Sequence, residues 1–527
     1  MDYKTFLQEL QDRHALIFLS VAENYNDEIY LSVRSDDFKK TCVCLHKLLH
    51  SPVAVFFAQD SRREKNAFVI YCTFMSAKYK KWFFVSTEIA ADKAILDSLA
   101  REIYSSSLFE REVREMFGIE FSGSPDARSL RLHEEVWPRR SFPLRKDFQN
   151  KPTKDIEKAE YNFNKVDGEG ILEVPVGPVH AGIIAPGHFR FSVAGEPIIN
   201  LEIRLGFKHK GIEKLFEGKN VFEAIKISER ISGDSSFAHS LAYTQAIEKI
   251  CGIIVTESLS AQRAICLELE RMYNHANDMG GIALDVGFSF PAALASLIKE
   301  EILQLNEKLT GSRFLRGVNE VGTTRLKLDE GKKKVLLAAL KKISKDFGEI
   351  KKILLSSASF MDRVDGTGVL KKKTAEDFGV VGLAARASGI AADLRKDFSG
   401  IYTQFNFNPA KEATGDVLAR LNIRIFEVEE SIRLIEEFIN IHHTASDKRL
   451  TQPELKEGFA LGYVEAWRGP VLYWIKIDEN GLIERCKVVD PSFHNWQGLS
   501  YCVLGDIIPD FPLCNKSFDL SYSGNDL

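Results

Sequence analysis

Two serines with S-x-x-S spacing, Ser232 and Ser235, stand between Arg230 and an apolar stretch that is typical of a helix. Serine and aspartate side chains accept hydrogen bonds from the first backbone N–H groups of a helix, so Ser232 or Asp234 is a candidate N-cap. The alternative is that the two hydroxyls belong to a functional site. The spacing by itself leaves both interpretations open.

The overall composition limits which functions are open to the chain. It has 527 residues, of which 45% are hydrophobic and 27% charged, which is typical of a folded protein with a large core. A net charge of −4 argues against a generally basic nucleic-acid-binding protein. The sequence contains neither a G-x-G-x-x-G motif after a strand nor a P-loop, so we expect no nucleotide site, including no NAD site, in this chain.

The cysteines and the apolar runs indicate the compartment. Eight cysteines are scattered without any C-x-x-C pair, which predicts free thiols in a reducing compartment and no disulfide framework, zinc site or iron–sulfur site. The polar start of the sequence does not resemble a signal peptide. Because no uncharged run reaches the roughly 18 residues of a membrane span, we expect a protein that is soluble by itself and able to lie against a membrane complex.

Residues 1 to about 120 predict a small α+β domain. Short β-rich runs such as "VAVFFAQD", "NAFVIYCTF" and "KWFFVST" are bounded by polar residues, and a helical pattern follows over about 91–116. The next stretch, to about residue 170, is rich in Arg, Pro, Asp and Lys and reads as an extended connector. We therefore predict two domains, 1–150 and 151–527.

Helical periodicity dominates the second domain. Over residues 329 to about 356, with Asp329 as a candidate N-cap, apolar residues recur at 4,3,4,3,4 spacing and predict one buried face: Leu336, Leu340, Ile343, Phe347, Ile350 and Leu354. The lysines on the other face predict a solvated surface, with a phosphate-binding patch as the alternative. Further helices are predicted over about 256–279 and 417–443.

In the helix over about 256–279, three charged residues share helical spacing. Glu268, Arg271 and His275 recur at i, i+3 and i+7, which predicts an ion-paired network between buried apolar positions.

The segment 110–132, "EREVREMFGIEFSGSPDARSLRL", resembles the signature of the small peripheral-arm subunit of respiratory complex I. That pattern is close to E-R-E-x-x-D-M-F-G-I-x-F-x-G-H-P-D. Here Glu115 replaces the usual aspartate and Ser124 the usual histidine.

The remainder, from about residue 165, resembles the large complex I subunit that helps to form the quinone chamber, which is homologous to the large subunit of nickel–iron hydrogenases. The matching stretches include "GPVHAGIIAPGHFRF", "GFKHKGIEKLFEGK", "ERISGDSSFAHSLAY", "LERMYNHANDMGGIALDVGF", "GYVEAWRGP" and "DPSFHNW". A fused pair of this kind is similar to the energy-converting, membrane-bound hydrogenases such as formate hydrogenlyase. The resemblance implies an α+β N-terminal domain followed by a mainly α-helical large domain.

The same resemblance bears on the two serines. In hydrogenase relatives, two C-x-x-C pairs hold the nickel–iron centre, and in this sequence the four positions are Ser232, Ser235, Ser492 and Asn495. Nickel in such a centre needs soft, deprotonated thiolates, which hydroxyl and amide oxygens cannot replace. The resemblance therefore implies that this chain binds no metal directly and lacks the nickel–iron centre.

Complex I relatives also lack these cysteines and receive a quinone headgroup in the emptied cavity. The tyrosine that hydrogen-bonds the quinone falls at Gly233 here, and the second headgroup ligand, a histidine, corresponds to His188. The glutamate that many energy-converting hydrogenases carry before "PGHF" is Ala185. The resemblance implies a polar cavity for a quinone-like ligand, whose candidate lining residues are His188, Arg230, Ser232, Ser235, His239 and Ser492.

Two charged residues in the matching stretches are candidate catalytic groups. Glu213 could relay protons, and Arg468 could orient an anionic or carbonyl group. The alternative for each is a buried salt bridge. For His239, four residues after Ser235 and four before Tyr243, a hydrogen-bonded core histidine is the favoured interpretation.

The resemblance implies an oxidoreductase subunit in the peripheral arm of a complex I-like membrane complex, at the cytoplasmic face of the plasma membrane. Its implied partners are a small subunit with a 4Fe–4S cluster, antiporter-like membrane-arm subunits and a quinone-like carrier. The implied activity is electron transfer coupled to ion translocation. Two alternatives stay open: a non-catalytic structural subunit of such a complex, and an active nickel–iron hydrogenase.

Overall fold

The computed structural model of the chain describes residues 2–150, 160–180, 184–398, 400–441 and 455–527. Its N-terminal part is built around a five-stranded sheet with the strand order β1-β2-β5-β4-β3, in which β2 and β5 are parallel and the other pairs antiparallel. These strands are β1 Ser20–Asn24, β2 Glu28–Ser32, β3 Val53–Ser61, β4 Ala67–Ser76 and β5 Lys81–Ala90. A short parallel pair follows, β6 Ile95–Asp97 and β7 Glu120–Ser122. The helices here are α1 Tyr3–His14, α2 Ser35–Leu49, α3 Arg62–Lys65 and α4 Ser107–Phe117.

The helix predicted over about 91–116 is wrong for most of its length. Only α4 is α-helical, while Ala91–Lys93 and Tyr104–Ser106 are single 3₁₀ turns. Residues 95–97 pair instead with 120–122, so their backbone groups bond to a second strand that the local pattern does not reveal.

Among its described residues, the second part of the chain contains two three-stranded sheets, a two-stranded pair and many helices. The strands are β8 Ile171–Val176, β9 His188–Ala194, β10 Ile198–Arg204, β11 Asn319–Glu320, β12 Thr323–Thr324, β13 Gly458–Glu465, β14 Pro470–Ile477 and β15 Ile483–Val489. The helices are α5 Ile212–Phe216, α6 Val221–Ser228, α7 Ser236–Ile250, α8 Glu257–Asp285, α9 Ser289–Thr310, α10 Glu330–Ser356, α11 Ala358–Val364, α12 Lys372–Phe378, α13 Gly382–Ala387, α14 Leu394–Asp397, α15 Val417–Ile439, α16 Pro491–Cys502, α17 Phe511–Phe518 and α18 Tyr522–Asp526. The chain is therefore of mixed α/β composition in both parts.

The long helices follow from their sequence patterns. The structure confirms α10: the Asp329 carboxylate accepts the Lys332 N–H at 2.8 Å, and all six predicted apolar residues are buried. Helix α8 is also confirmed and runs further than predicted, to Asp285, with Thr256 as its N-cap. Helix α15 begins at Val417 as predicted and ends at Ile439. The predicted end at His443 lies outside the described residues.

The charged residues of α8 form the predicted network. Arg271 pairs with Glu268 at 3.0 Å, and His275 with Glu427 of α15 at 2.8 Å. All four side chains are almost fully buried, so the network joins α8 and α15 inside the protein.

The N-terminal sheet packs directly on β14 of the second part. Trp474 donates a hydrogen bond to the Tyr30 hydroxyl at 3.0 Å and packs against the Phe57 ring at 4.7 Å between centroids. Lys249 of α7 pairs with Asp27 at 2.7 Å. These contacts place α7 and β13–β15 between the N-terminal sheet and the long helices.

Candidate functional site

The structure joins two of the four S-x-x-S and S-x-x-N positions, Ser232 and Ser492, through a fifth residue. Ser232 and Ser235 lie in the turn before α7, and Ser492 lies on the first turn of α16. Ser521 connects Ser232 with Ser492: its hydroxyl lies 2.8 Å from the Ser232 hydroxyl, and its N–H donates to the Ser492 hydroxyl at 2.9 Å. We call Ser232, Ser235, Ser492 and Asn495 the four-position site.

The other two members of the four-position site have protein partners as well. Ser235 accepts the indole N–H of Trp467 at 3.0 Å. The Asn495 amide, one turn after Ser492, accepts Val381 N–H at 2.9 Å and donates to Val381 C=O at 3.2 Å. All four side chains are at most 2% exposed. The site is thus a closed, hydrogen-bonded cluster.

Residues 519–527 fill the space that was expected to be a polar cavity. Besides Ser521, this segment contributes Asp526, whose carboxylate accepts the N–H groups of Gly206 at 2.9 Å and Lys208 at 2.8 Å. Gly524 lies so close to Asp490 that a Cβ there would be 2.5 Å from the carboxylate. The segment is therefore packed into the site rather than lying across it.

The predicted N-cap of α7 is wrong. Ser232 donates to the Asp234 carboxylate at 2.7 Å, and neither residue accepts from the helix. Two N–H groups in the first turn of α7, at Phe237 and Ala238, donate instead to Glu270 of α8 at 2.7 and 3.0 Å. Asp234 is not available because Arg468 holds its carboxylate.

Arg468 joins the two chain segments that border the four-position site. Its guanidinium binds Asp234 through two hydrogen bonds, at 2.9 and 2.6 Å, and lies 3.3 Å from the Asp519 carboxylate. Burial alone would raise the pKa of Asp234, but the Arg468 guanidinium overrides this effect and lowers that pKa. Arg468 therefore acts as a buried salt-bridge partner in this structure, with both of its anions supplied by the protein.

His239 reaches the four-position site through one intermediate residue. Its Nδ1 lies 2.9 Å from the Tyr473 hydroxyl and its Nε2 lies 3.1 Å from the Asp490 carboxylate, which also accepts Ser492 N–H at 2.8 Å. Burial raises the pKa of Asp490, but the hydrogen bond from His239 outweighs it and the pKa is lowered. The fully buried imidazole is the hydrogen-bonded core histidine that the sequence favoured.

Glu213 belongs to a different cluster. Its carboxylate lies 2.7 Å from Arg485 and 3.1 Å from Lys487, both on β15, and accepts Val488 N–H at 3.1 Å. Burial favours a raised pKa, yet Lys487 and Arg485 lower the pKa of Glu213 to about 2. The carboxylate is ionised at neutral pH, which favours the salt-bridge interpretation over a proton relay.

The side chains of Arg230 and His188 take no part in the hydrogen-bonded cluster. Arg230 is exposed and donates to the carbonyl of Lys226, and Gly233 is exposed. His188 begins β9, where its Nδ1 lies 3.4 Å from the Gly177 carbonyl and burial lowers its pKa. Its Nε2 is buried without a hydrogen-bond partner among the described residues.

Comparison with known proteins identifies the family. The family model of the respiratory-chain NADH dehydrogenase 30 Kd subunit matches residues 31–154, and that of the 49 Kd subunit matches residues 285–456. Formate hydrogenlyase subunit 5 of Escherichia coli (strain K12) is 31% identical over 99% of this chain and 93% of its own length. The chain belongs to the family of fused 30 Kd-type and 49 Kd-type subunits.

Other relatives include a hydrogenase component and a subunit of an NADH-quinone oxidoreductase. Hydrogenase-4 component G of Escherichia coli (strain K12) is 30% identical over 90% of this chain and 83% of its own length. An NADH-quinone oxidoreductase subunit of Chromohalobacter salexigens is 26% identical over 84% of this chain and 82% of its own. A chain of the membrane-bound sulfane sulfur reductase, an archaeal respiratory membrane complex, has the same fold, with a TM-score of 0.63 and 24% identity over 68% of this chain and 99% of that chain.

Within this family, the donor set at the four-position site does not fit a nickel–iron centre. Three hydroxyl oxygens and one amide replace the soft thiolates that such a centre requires, and each already has a protein partner. Among the described residues, no group of three or more His, Cys, Asp or Glu side chains is arranged to hold a metal ion. Nor does the described part of the chain contain a helix that could span a membrane.

Sequence reasoning missed the segment that closes the site. The run "SFDLSYSGNDL" is rich in small polar residues, which is the only local signal of its role. Asp490 and Trp467 stand inside the stretches quoted for the family resemblance, next to the residues chosen, and they hold His239 and Ser235 in place.

Proposed function

We propose that the chain is a peripheral-arm subunit of a membrane-bound oxidoreductase complex in which electron transfer is coupled to ion translocation. The observation that carries this proposal is the end-to-end relation to formate hydrogenlyase subunit 5, which covers 99% of this chain. The relatives from NADH-quinone oxidoreductases support the same class of complex. The complex would place this chain at the cytoplasmic face of the plasma membrane.

The proposed partners are a small subunit with a 4Fe–4S cluster and antiporter-like subunits of a membrane arm. The edge of the four-position site offers a surface for the small subunit. Arg230 and Gly233 are exposed, and the Asp234 side chain is 39% exposed although its carboxylate is bound by Arg468. A partner that docks here would lie directly above the buried hydroxyls.

We further propose that a quinone-like ligand binds at the four-position site. The Ser232 hydroxyl donates to Asp234, whereas the Ser492 hydroxyl accepts Ser521 N–H and keeps its own hydrogen for a ligand carbonyl; both hydroxyls are bonded to Ser521. Ligand binding therefore requires residues 519–527 to move, so that one set of hydrogen bonds replaces another. A ligand that binds only the opened form shifts the chain toward that form.

The test is made on the complex purified from native membranes through an affinity tag on this chain. Nickel and iron are quantified per copy of the chain, and quinone reduction and hydrogen evolution are assayed in the same preparation. We expect iron without stoichiometric nickel, co-purifying membrane subunits and quinone-dependent turnover. Stoichiometric nickel with hydrogen evolution would contradict the inference that three serines and one asparagine at the four-position site cannot hold a nickel–iron centre.

A second candidate, a non-catalytic structural subunit, is favoured by the closed state of the site. Every side chain of the four-position site is buried and bonded to protein groups, as a structural core would require. Arg468→Gln and Glu213→Gln separate the two candidates, with Arg433→Gln as the control, because Arg433 is half-buried and pairs with Glu430 away from both clusters. In a structural subunit these changes reduce turnover only in proportion to lost assembly, whereas a catalytic role lowers turnover per assembled complex.

A further inference from the structure

Strand β1 forms one edge of the N-terminal sheet, and among the described strands it pairs only with β2. Alternate residues of an edge strand direct their N–H and C=O groups away from the sheet. Among the described residues, no hydrogen bond from outside the pairing with β2 reaches a backbone group of residues 20–24. Every residue from Ser20 to Glu23 is exposed. The edge is therefore open to a further strand.

The chain covers the opposite edge of the same sheet, strand β3. The Val53 N–H donates to the Ser105 hydroxyl at 3.1 Å, and the Ala58 carbonyl accepts a hydrogen bond from Arg485 Nε at 3.1 Å. All residues of β3 except Ala54 are buried. Other parts of the chain thus satisfy backbone groups that an edge strand otherwise exposes, whereas β1 has no such cover.

Strand β1 also lacks the residues that keep an edge strand unpaired. Such strands usually carry exposed charged residues or proline. Strand β8, at the edge of a sheet in the second part, contains both, in Glu173 and Pro175. Strand β1 contains neither proline nor lysine, and its single charged residue, Glu23, is bound by Lys81 at 2.7 Å and by the Tyr3 hydroxyl at 2.6 Å.

The side chains along this edge favour an apolar partner. Ile17, Leu19 and Val21 alternate along the chain and are 54%, 62% and 49% exposed. Val21 lies opposite Leu31 of β2, which is fully buried, so the apolar layer on this face of the sheet ends between β2 and β1. A strand with β-branched or aromatic residues at alternate positions extends that layer, because apolar cross-strand pairs stabilise a sheet.

An extended segment of another protein fits this edge better than a second copy of the chain does. Outward N–H and C=O groups need a partner whose own backbone is extended, which a helix does not supply. Full antiparallel overlap of two β1 strands places Glu23 of each copy opposite Val21 of the other. A second copy therefore sets a carboxylate against the apolar row, whereas an uncharged strand does not.

We propose that β1 is the docking edge for an extended, uncharged strand of a partner subunit. The added strand becomes the sixth of the N-terminal sheet and covers Leu19 and Val21 with β-branched or aromatic side chains. This proposal rests on the proposed function, because the partner is a subunit of the same complex. It assigns an interface to the N-terminal part, whereas the four-position site lies in the second part.

The test compares the isolated full-length chain with the complex purified from native membranes. Hydrogen exchange followed by mass spectrometry is measured in peptides that cover residues 17–24. Because the outward amides of β1 have no partner in the isolated chain, we expect their exchange to be slower by about tenfold or more in the complex.

Variants separate strand pairing from folding. Val21→Lys places a charge on the open edge and should reduce the copies of the strand-donating subunit per chain by about threefold or more, without lowering the thermal midpoint of the isolated chain. Leu19→Lys repeats the test at a second exposed position. Val21→Thr keeps an uncharged β-branched residue and should retain the subunit. Leu337→Lys, at a 41% exposed position of α10, is the matched control and should retain it as well.

A photo-activatable cross-linking residue at position 19 identifies the strand-donating subunit in the assembled complex. We expect the cross-linked segment to be an uncharged run in which apolar residues alternate along the chain. A cross-link to a highly charged segment would overturn the proposal.

Three further results would overturn it. These are unchanged exchange of residues 17–24 in a complex that contains its other subunits, full retention of those subunits in both lysine variants, and a concentration-dependent dimer of the isolated chain that Val21→Lys abolishes. The third result would mean that a second copy pairs with β1. The first leaves the proposed function intact, whereas a chain that purifies from native membranes without any other subunit contradicts both proposals.

Discussion

The two residues that the sequence suggested as catalytic groups, Glu213 and Arg468, lie in two separate ionic clusters. The clusters differ in how much of their charged side chains is exposed to solvent. Around Glu213, the carboxylates of Glu213 and Glu112 share Lys487, and Arg485 pairs with Glu213; all four residues are at most 5% exposed. Around Arg468, the guanidinium is equally buried, but the Asp234 side chain is 39% exposed. The first cluster is sealed, and the second opens at the protein surface.

This difference in exposure indicates a structural role for the Glu213 cluster and a position at the border of the four-position site for the Arg468 cluster. Glu112 lies on α4 of the N-terminal part, and Lys487 donates to both of its carboxylate oxygens at 2.7 and 2.6 Å. The Glu213 cluster therefore fastens the N-terminal part to β15. The Arg468 cluster ties the turn before α7 to residues 519–527, which are the two segments that close the four-position site.

The largest effect is expected for Glu213→Gln. The change removes the carboxylate that pairs with Arg485 and Lys487, so that buried positive charge is no longer balanced. Breaking a buried ion pair in this way lowers the free energy of unfolding by about 3–5 kcal/mol. Differential scanning calorimetry should show a clearly lower thermal midpoint, whereas Glu349→Gln on the exposed face of α10 should leave it nearly unaltered. An equal thermal midpoint for Glu213→Gln and Glu349→Gln would show that the Glu213 cluster does not stabilise the contact between the N-terminal part and β15.

The pH dependence of the same variant sharpens this interpretation. Glu213 has a folded-state pKa of about 2, below an unfolded value of about 4.3, so its stabilising contribution is complete above the unfolded value and is lost as pH falls toward the folded one. The difference in thermal midpoint between wild type and Glu213→Gln should be constant from neutral pH to about 5 and shrink below about 4. A difference that grows in acid would contradict the lowered pKa.

Asp234→Asn should have an intermediate effect. It weakens the two-fold hydrogen bond with Arg468 and leaves Asp519 as the single anion beside the guanidinium, at a cost of about 1–3 kcal/mol, because solvent at the exposed edge offsets part of the loss. Asp346→Asn is the control, since Asp346 is similarly exposed at 34% and pairs with Lys342 on α10. A loss for Asp234→Asn as large as that for Glu213→Gln would remove the distinction between the two clusters.

The sequence predicted those elements whose hydrogen bonds are local. Helix α10 follows from its apolar spacing and from Asp329, because both signals lie within the helix itself. The helix expected over 91–116 is largely wrong because β6 and β7, 25 positions apart in register, form their bonds with each other. Local periodicity carries no information about such a pairing.

The candidate site shows the same limit. The family resemblance selected Ser232, Ser235, Ser492 and Asn495, and in the structure two of them, Ser232 and Ser492, bond to Ser521. The segment that fills the site was not predicted, because the Ser232–Ser521 contact joins residues 289 positions apart. A polar residue at a site position says nothing about whether its partner is a ligand or another part of the chain.

Ser521→Ala should have the smallest effect on stability and the most direct effect on the site. It removes the hydroxyl that bonds Ser232 and accepts Gly524 N–H at 2.9 Å, a loss of about 1 kcal/mol, while the backbone bond to Ser492 remains. Hydrogen exchange followed by mass spectrometry should therefore show faster exchange in residues 519–527 but unaltered exchange in α10, and the exposed Ser359→Ala should show neither change. Exchange as slow as in wild type would mean that packing of Asp526 and Gly524, rather than the hydroxyl, keeps the four-position site closed. Faster exchange would indicate that residues 519–527 are held weakly enough for a ligand to displace them. The Arg468 cluster would then be able to open at this segment, whereas the cluster around Glu213 stays closed.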